Sequence, residues 1–123
     1  MDPEIKIDVA TRFIEKESDP EHNRWVFAYT IVIENLSDAP AQLLNRHWHV
    51  TDAGGRVQEV QGPGVVGKQP RLEPGESFRY TSAAVLETPV GSMRGDYQMR
   101  ADDGVEFDAE IPAFRLAMPN VLH

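Results

Sequence analysis

The run RWVFAYTIVIENL, residues 24 to 36, limits the folds open to this chain more than any other stretch. Trp25, Phe27, Tyr29, Ile31 and Ile33 share one face at a period of two, while Val26, Ala28 and Val32 keep the opposite face mostly apolar. A segment apolar on both faces at this period predicts a central β-strand. Two other runs alternate more cleanly. EIKIDVATRF sets Ile5, Ile7 and Val9 against Lys6 and Asp8, and GVEFDAEI sets Val105, Phe107, Ala109 and Ile111 against Glu106, Asp108 and Glu110. Each reads as a strand with one wet face. At Pro112 the parity slips, because Phe114 and Leu116 are apolar on the even phase; this predicts a bulge or bend and an edge position for that strand.

Turn signals separate these runs at short intervals: DAGG at 52 to 55, EPGE at 73 to 76, TPVG at 88 to 91 and DDG at 102 to 104. In LEPGESF, Pro74 presets φ and Gly75 supplies the positive φ of a type II turn, so Leu72 and Phe78 belong to the strands entering and leaving it. No window sustains a helical period. The expected architecture is all-β: an antiparallel β-sandwich of immunoglobulin or fibronectin type III style, with about seven strands and a single domain over residues 1 to 123. Trp25, Phe27, Tyr29, Ile31, Trp48, Phe78, Tyr80 and Tyr97 should supply much of its core.

A chain of 123 residues can bury roughly two-thirds of its unfolded surface in one core. Its net charge of −8 argues against nucleic acid or anionic membrane as a partner, since phosphate binding needs a basic footprint. The acidity is uneven. Residues 46 to 100 carry seven basic and six acidic side chains, whereas residues 1 to 45 carry four and nine. The absence of cysteine removes disulfides, thiolate metal sites and a cysteine nucleophile. No apolar run approaches the roughly 18 residues of a membrane span, and the start MDPEIKID lacks the basic and apolar regions of an export signal, so a cytoplasmic setting is expected.

Within the less acidic middle, QGPGVVGKQP contains Gly62, Gly64 and Gly67 in the spacing G-x-G-x-x-G. That pattern binds a pyrophosphate when it joins a parallel strand to a helix N-terminus. Here KQPRLEPGE follows, and Pro70 and Pro74 preclude the helix. What survives is a glycine-rich loop able to form an anion nest beside Lys68 and Arg71. Val65 and Val66 are out of place in a solvated linker, and they predict either a core insertion or a contact patch.

His47 and His49 flank Trp48, and on a strand they share the face opposite to Trp48 and Val50. Two imidazoles at this spacing could meet one metal ion, but no third ligand stands at a readable spacing, and His22 and His123 are remote, so no metal site is expected. Ser77, Ser82 and Ser92 have no nucleophile-elbow context, and Asp102 and Asp103 precede Gly104 as turn formers. Nothing here predicts an enzyme or a cofactor.

The run NRHWHVTDAGGRVQEVQGPGVVGKQPRLEPGESFRYTSA, with GSMRGDYQM after it, resembles the ApaG (CorD-like) family of bacteria across nearly the whole chain. It departs at Ala83, where a glycine often follows the Thr-Ser pair. The resemblance implies a fibronectin type III-like sandwich without an established enzymatic activity. It also implies an association with cobalt tolerance and magnesium efflux, and protein binding of the kind ascribed to the related domain in F-box and polymerase-interacting proteins. The favoured expectation is therefore a protein-interaction module with an unidentified protein partner, in which Gly62, Gly64, Val65, Val66, Gly67, Lys68 and Arg71 form a contact loop. Pyrophosphate or nucleotide binding by the same loop is one alternative, and direct metal-linked regulation through His47 and His49 is another.

Overall fold

In the computed structural model, which describes residues 4–119, eight strands form two antiparallel sheets. The strands are β1 (Ile5–Phe13), β2 (Trp25–Asn35), β3 (Ala41–Asp52), β4 (Val57–Pro63), β5 (Arg71–Leu72), β6 (Ser77–Leu86), β7 (Val90–Ala101) and β8 (Glu106–Ala117). One sheet has the order β1-β2-β6; the other has β4-β3-β7-β8, with β5 also pairing with β3. The expected sandwich is present, and the run apolar on both faces, β2, is indeed central. The strand expected at Leu72 is present as β5, only two residues long, and the count is eight against the expected seven or so. Two single-turn 3-10 helices, Glu15–Glu17 and Pro20–His22, fill the link between β1 and β2.

Each parity slip in the chain corresponds to a bulge. Opposite Arg94 of β7, β8 places both Pro112 and Ala113, because Met93 pairs with Phe114 and Gly95 with Ile111. The extra residue returns Phe114 and Leu116 to the core side, and Pro112 sits where a ladder N–H is dispensable. A second slip, between Leu43 and Asn45 of β3, moves the inward phase from Ala41 and Leu43 to Arg46, Trp48 and Val50. Val105, which the alternation in sequence assigns to the apolar phase of β8, is 56% exposed. It falls in the turn set by Gly104 at φ +87, before the strand begins.

The core lies between the sheets. Phe27, Tyr29, Ile31, Tyr80 and Tyr97 are buried in it as expected, whereas Trp25 and Phe78 are only half-buried at its margin. Trp48 is its aromatic centre, meeting Tyr29, Phe114 and Tyr97 edge-on at centroid distances of 5.5, 5.9 and 6.4 Å. Tyr80 of β6 and Tyr97 of β7 share a buried hydroxyl hydrogen bond that crosses from one sheet to the other. Burial pushes both phenols well above their ordinary pKa.

Asn35, fully buried, closes one end. Its amide donates to the carbonyls of Ala39 (2.9 Å) and Leu72 (3.0 Å), and its side-chain oxygen accepts from the Ser37 N–H at 3.0 Å. Next to it, Gly75 has φ +83 and the Glu76 N–H donates to the Glu73 carbonyl, so the expected turn forms. That turn carries the chain from β5 in one sheet to β6 in the other.

Candidate functional site

The two lateral edges of the sandwich differ. On one side β1 and β8 approach each other closely. On the other, β4 and β6 each end their sheet, and a cleft of about 410 Å³ opens between them. Its walls include Trp48 and Val50 of β3, Gln58 and Val60 of β4, and Ser82 to Val85 of β6. Every residue of β4 from Val57 to Gln61 is exposed. Val60 and Val85 remain 43% and 42% exposed on the rims. Trp48 is almost wholly buried, yet its Nε1–H has no hydrogen-bond partner among the described residues. Where the sequence resemblance faltered, at Ala83, β6 continues unbroken and contributes the cleft wall.

Arg46 lines the cleft and explains much of the glycine-rich loop. On the inward phase of β3 it lies opposite Gly62, and its guanidinium donates to the carbonyls of Pro63 and Gly64, both at 2.9 Å. A Cβ at position 62 would meet that guanidinium at 3.1 Å. Gly64 is buried at φ +62, and a Cβ there would come within 2.4 Å of the Lys68 carbonyl. Its N–H donates to Leu44, as does the Gln69 side-chain amide, and the Leu43 N–H donates to Pro70. The loop is therefore stitched to the β3 bulge at both ends.

Between these anchors Val65 and Lys68 exchange backbone hydrogen bonds of 2.8 and 2.9 Å around Val66 and Gly67. Both intervening residues have positive φ, +42 and +78, as in the two-residue type I′ hairpin. Of the two valines, Val65 is buried in the core and Val66 is 55% exposed at the tip. Positive φ in a β-branched residue is strained.

An anion would find little free here. The N–H groups of Gly64, Val65 and Lys68 are already engaged within the protein. Arg71, on β5, is ion-paired with Glu73 and Asp102, which hold its pKa above the ordinary value. Lys68 is exposed and makes no ion pair among the described residues.

His47 and His49 face outward from the five-stranded sheet, as expected, with ring centroids 4.6 Å apart. Sequence spacing gave no third group beside them, but the fold supplies one. Glu59 of β4 lies directly opposite His49, and its carboxylate is 2.7 Å from His47 Nε2. The Gln61 amide donates to the same carboxylate at 2.9 Å. The hydrogen bond from His47, followed by that from Gln61, holds Glu59 below the usual carboxylate range. The signal was present in the turn TDAGGRV: a hairpin reversing over 52 to 56 pairs Thr51 with Val57, and hence His49 with Glu59. His123 lies outside the described residues.

The family model of the ApaG domain matches residues 15–101. The chain belongs to the ApaG family. It is 60% identical over 120 residues to the ApaG protein of Thiobacillus denitrificans, covering 98% of this chain and 94% of that one. To the ApaG protein of Aromatoleum aromaticum it is 58% identical over 119 residues, covering 97% and 94%. Its fold matches the crystal structure of an ApaA protein from Bordetella pertussis with a TM-score of 0.93 at 47% identity, covering 97% of both chains. The longer of the two stretches that carried the ApaG resemblance, residues 45 to 83, covers most of β3, all of β4, the glycine-rich loop, β5 and most of β6, and so much of the cleft's wall. No described helix is long and apolar enough to cross a membrane.

Proposed function

We propose that this ApaG-family chain is a non-enzymatic protein-binding module that takes an extended, apolar segment of a partner protein into the cleft between β4 and β6. The observation that carries this reading is Trp48: an indole lining an open cleft, buried, with its N–H unpaired among the described residues. The Nε1 is itself closed to solvent, where an unpartnered donor costs about 1–3 kcal/mol; a backbone carbonyl of a bound segment would relieve that cost once the indole turns toward it. The two strands flanking the cleft are sheet edges with unpaired backbone groups, the arrangement that strand addition uses, and Val60 and Val85 offer apolar rims. The glycine-rich loop serves this site by holding Arg46 at the cleft wall and by presenting Val66 to solvent. Nucleotide binding by the same loop is expected to be weak, because the N–H groups of Gly64, Val65 and Lys68 and the Arg71 guanidinium are committed within the protein.

The test is site-specific photo-crosslinking in cells. A crosslinker at position 60 or 85 should give the same discrete protein adduct, and one at exposed Val105 should not. Val85→Asp should abolish the adduct formed from position 60 while leaving the thermal midpoint unchanged. An adduct formed equally from all three positions, or one that survives Val85→Asp, would overturn the proposal.

A further inference from the structure

The outer face of the five-stranded sheet, on the side of β3 opposite the cleft, carries a separate constellation. The ligand-capable atoms of His47, His49 and Glu59 all lie within 4.8 Å of one another. We propose that these three side chains form a binding site for a single late first-row divalent cation of the zinc or nickel type, with water completing its coordination.

The backbone supplies the first part of the argument. Residues two apart on a strand share a face, and a residue directly opposite on the neighbouring strand projects from that same face. His47 and His49 therefore meet Glu59 on a paired, rigid scaffold rather than on a loop. A tetrahedral ion with ligand bonds of about 2.0–2.2 Å needs its ligand atoms roughly 3.4 Å apart. Glu59 and His47 already approach to 2.7 Å and no pair in the set is more than 4.8 Å apart, and the Glu59 side chain, 52% exposed, has room to adjust.

The second part is what each group does without a metal. His49 Nδ1 is shut off from solvent and has no hydrogen-bond partner among the described residues. No bond from that nitrogen fixes the ring's orientation or tautomer, so turning it toward an ion breaks none there. The two rings are tilted by 48° rather than stacked. Gln61, whose amide donates to the Glu59 carboxylate at 2.9 Å, is placed to orient that carboxylate, as residues behind metal ligands commonly do.

The third part is charge and donor type. Across β7, Asp96 pairs with His47 and Arg94 with His49, so charge from that side cancels, and the Glu59 carboxylate gives the ligand set its negative charge. Two imidazoles and one carboxylate suit zinc, nickel or copper; magnesium prefers an all-oxygen, largely hydrated shell.

Isothermal titration of the full chain with Zn²⁺, Ni²⁺ and Mg²⁺ at neutral pH, with the imidazole proton resonances followed in parallel, tests the proposal. One zinc ion should bind with a dissociation constant below about 100 μM, shifting the His47 and His49 resonances, and magnesium should not compete. His49→Ala and Glu59→Gln should each weaken binding by about tenfold or more, and His22→Ala should leave it unchanged. Glu59→Gln keeps the shape of an exposed side chain, so its effect is not confused with unfolding. Zinc affinity unaffected by His49→Ala and Glu59→Gln, or no saturation below about 1 mM, would overturn the assignment.

Discussion

Replacing Val66 by Asn should stabilise the protein, although it puts a polar residue where an apolar one stands. Val66 occupies the first position of a two-residue hairpin at φ +42, followed by Gly67 at φ +78. The left-handed region costs an L-residue roughly 1–2 kcal/mol, and a branched Cβ belongs at the upper end of that range. Asn visits the region readily, and Asn-Gly is the preferred pair for this turn. The relief is offset by the apolar burial that the valine gives up. Val66 is 55% exposed, so less than half of the roughly 1.5 kcal/mol for burying a valine is at stake, about 0.7 kcal/mol. The net gain is about 0.5–1 kcal/mol. Urea denaturation should show a higher midpoint at unchanged slope, because the same surface is exposed on unfolding. Val66→Gly should gain less, since glycine also frees the unfolded chain. A destabilisation of about 1 kcal/mol or more in Val66→Asn would refute the reasoning, showing that the valine is held by its packing rather than strained by its backbone. If strain at this tip is kept for recognition, the stabilised variant should bind the partner less well.

Three further outcomes follow from the same structure. Tyr80 and Tyr97 have folded-state pKa values raised above the ordinary 10.0, so they add stability that is fully present below about pH 10 and lost as pH rises past it. Stability should hold level from about pH 8 to 9 and fall steeply above about pH 10, and the fall should be shallower in the Tyr80→Phe, Tyr97→Phe double variant. Asn35→Ala strands the carbonyls of Ala39 and Leu72 and the Ser37 N–H, and should cost about 3 kcal/mol in urea denaturation; a cost below about 1 kcal/mol would mean that water replaces the amide. Titration with ATP at physiological salt should give no saturable amide shifts centred on residues 62 to 71 below about 100 μM, and saturation there that is lost in Lys68→Glu would restore the pyrophosphate reading.

The strands could be read from the sequence because their signal is local. Period-two alternation identified β1, β2 and β8, and the glycines of DAGG, EPGE and DDG marked reversals at Gly55, Gly75 and Gly104, all with positive φ. The parity break at Pro112 announced its bulge, while the corresponding break in β3 passes unnoticed in AQLLNRHWHV because Leu44 is as apolar as its neighbours. Asn35 was not recognisable as a core residue, since an amide is buried only where separate segments of the chain converge on it. The outward placement of His47 and His49 was legible, but Glu59 required the hairpin register to be carried through from the turn. Least legible was the open edge. Which strands end the two sheets is decided by non-local pairing, so the roles of Trp48 and Arg46 in the cleft wall emerge only once β4 and β6 are seen to stand side by side.

The most direct measurement of cleft binding is a hydrogen-exchange footprint of the protein with the partner segment that crosslinks to position 60. Binding at the open edge predicts new protection on the outer amides of β4, from Val57 to Gln61, and of β6, from Ser82 to Val85, together with a shift of the Trp48 indole proton as it gains an acceptor. Protection confined to the β1 and β8 edge, or to the outer face of the five-stranded sheet, with the Trp48 indole unmoved, would contradict it.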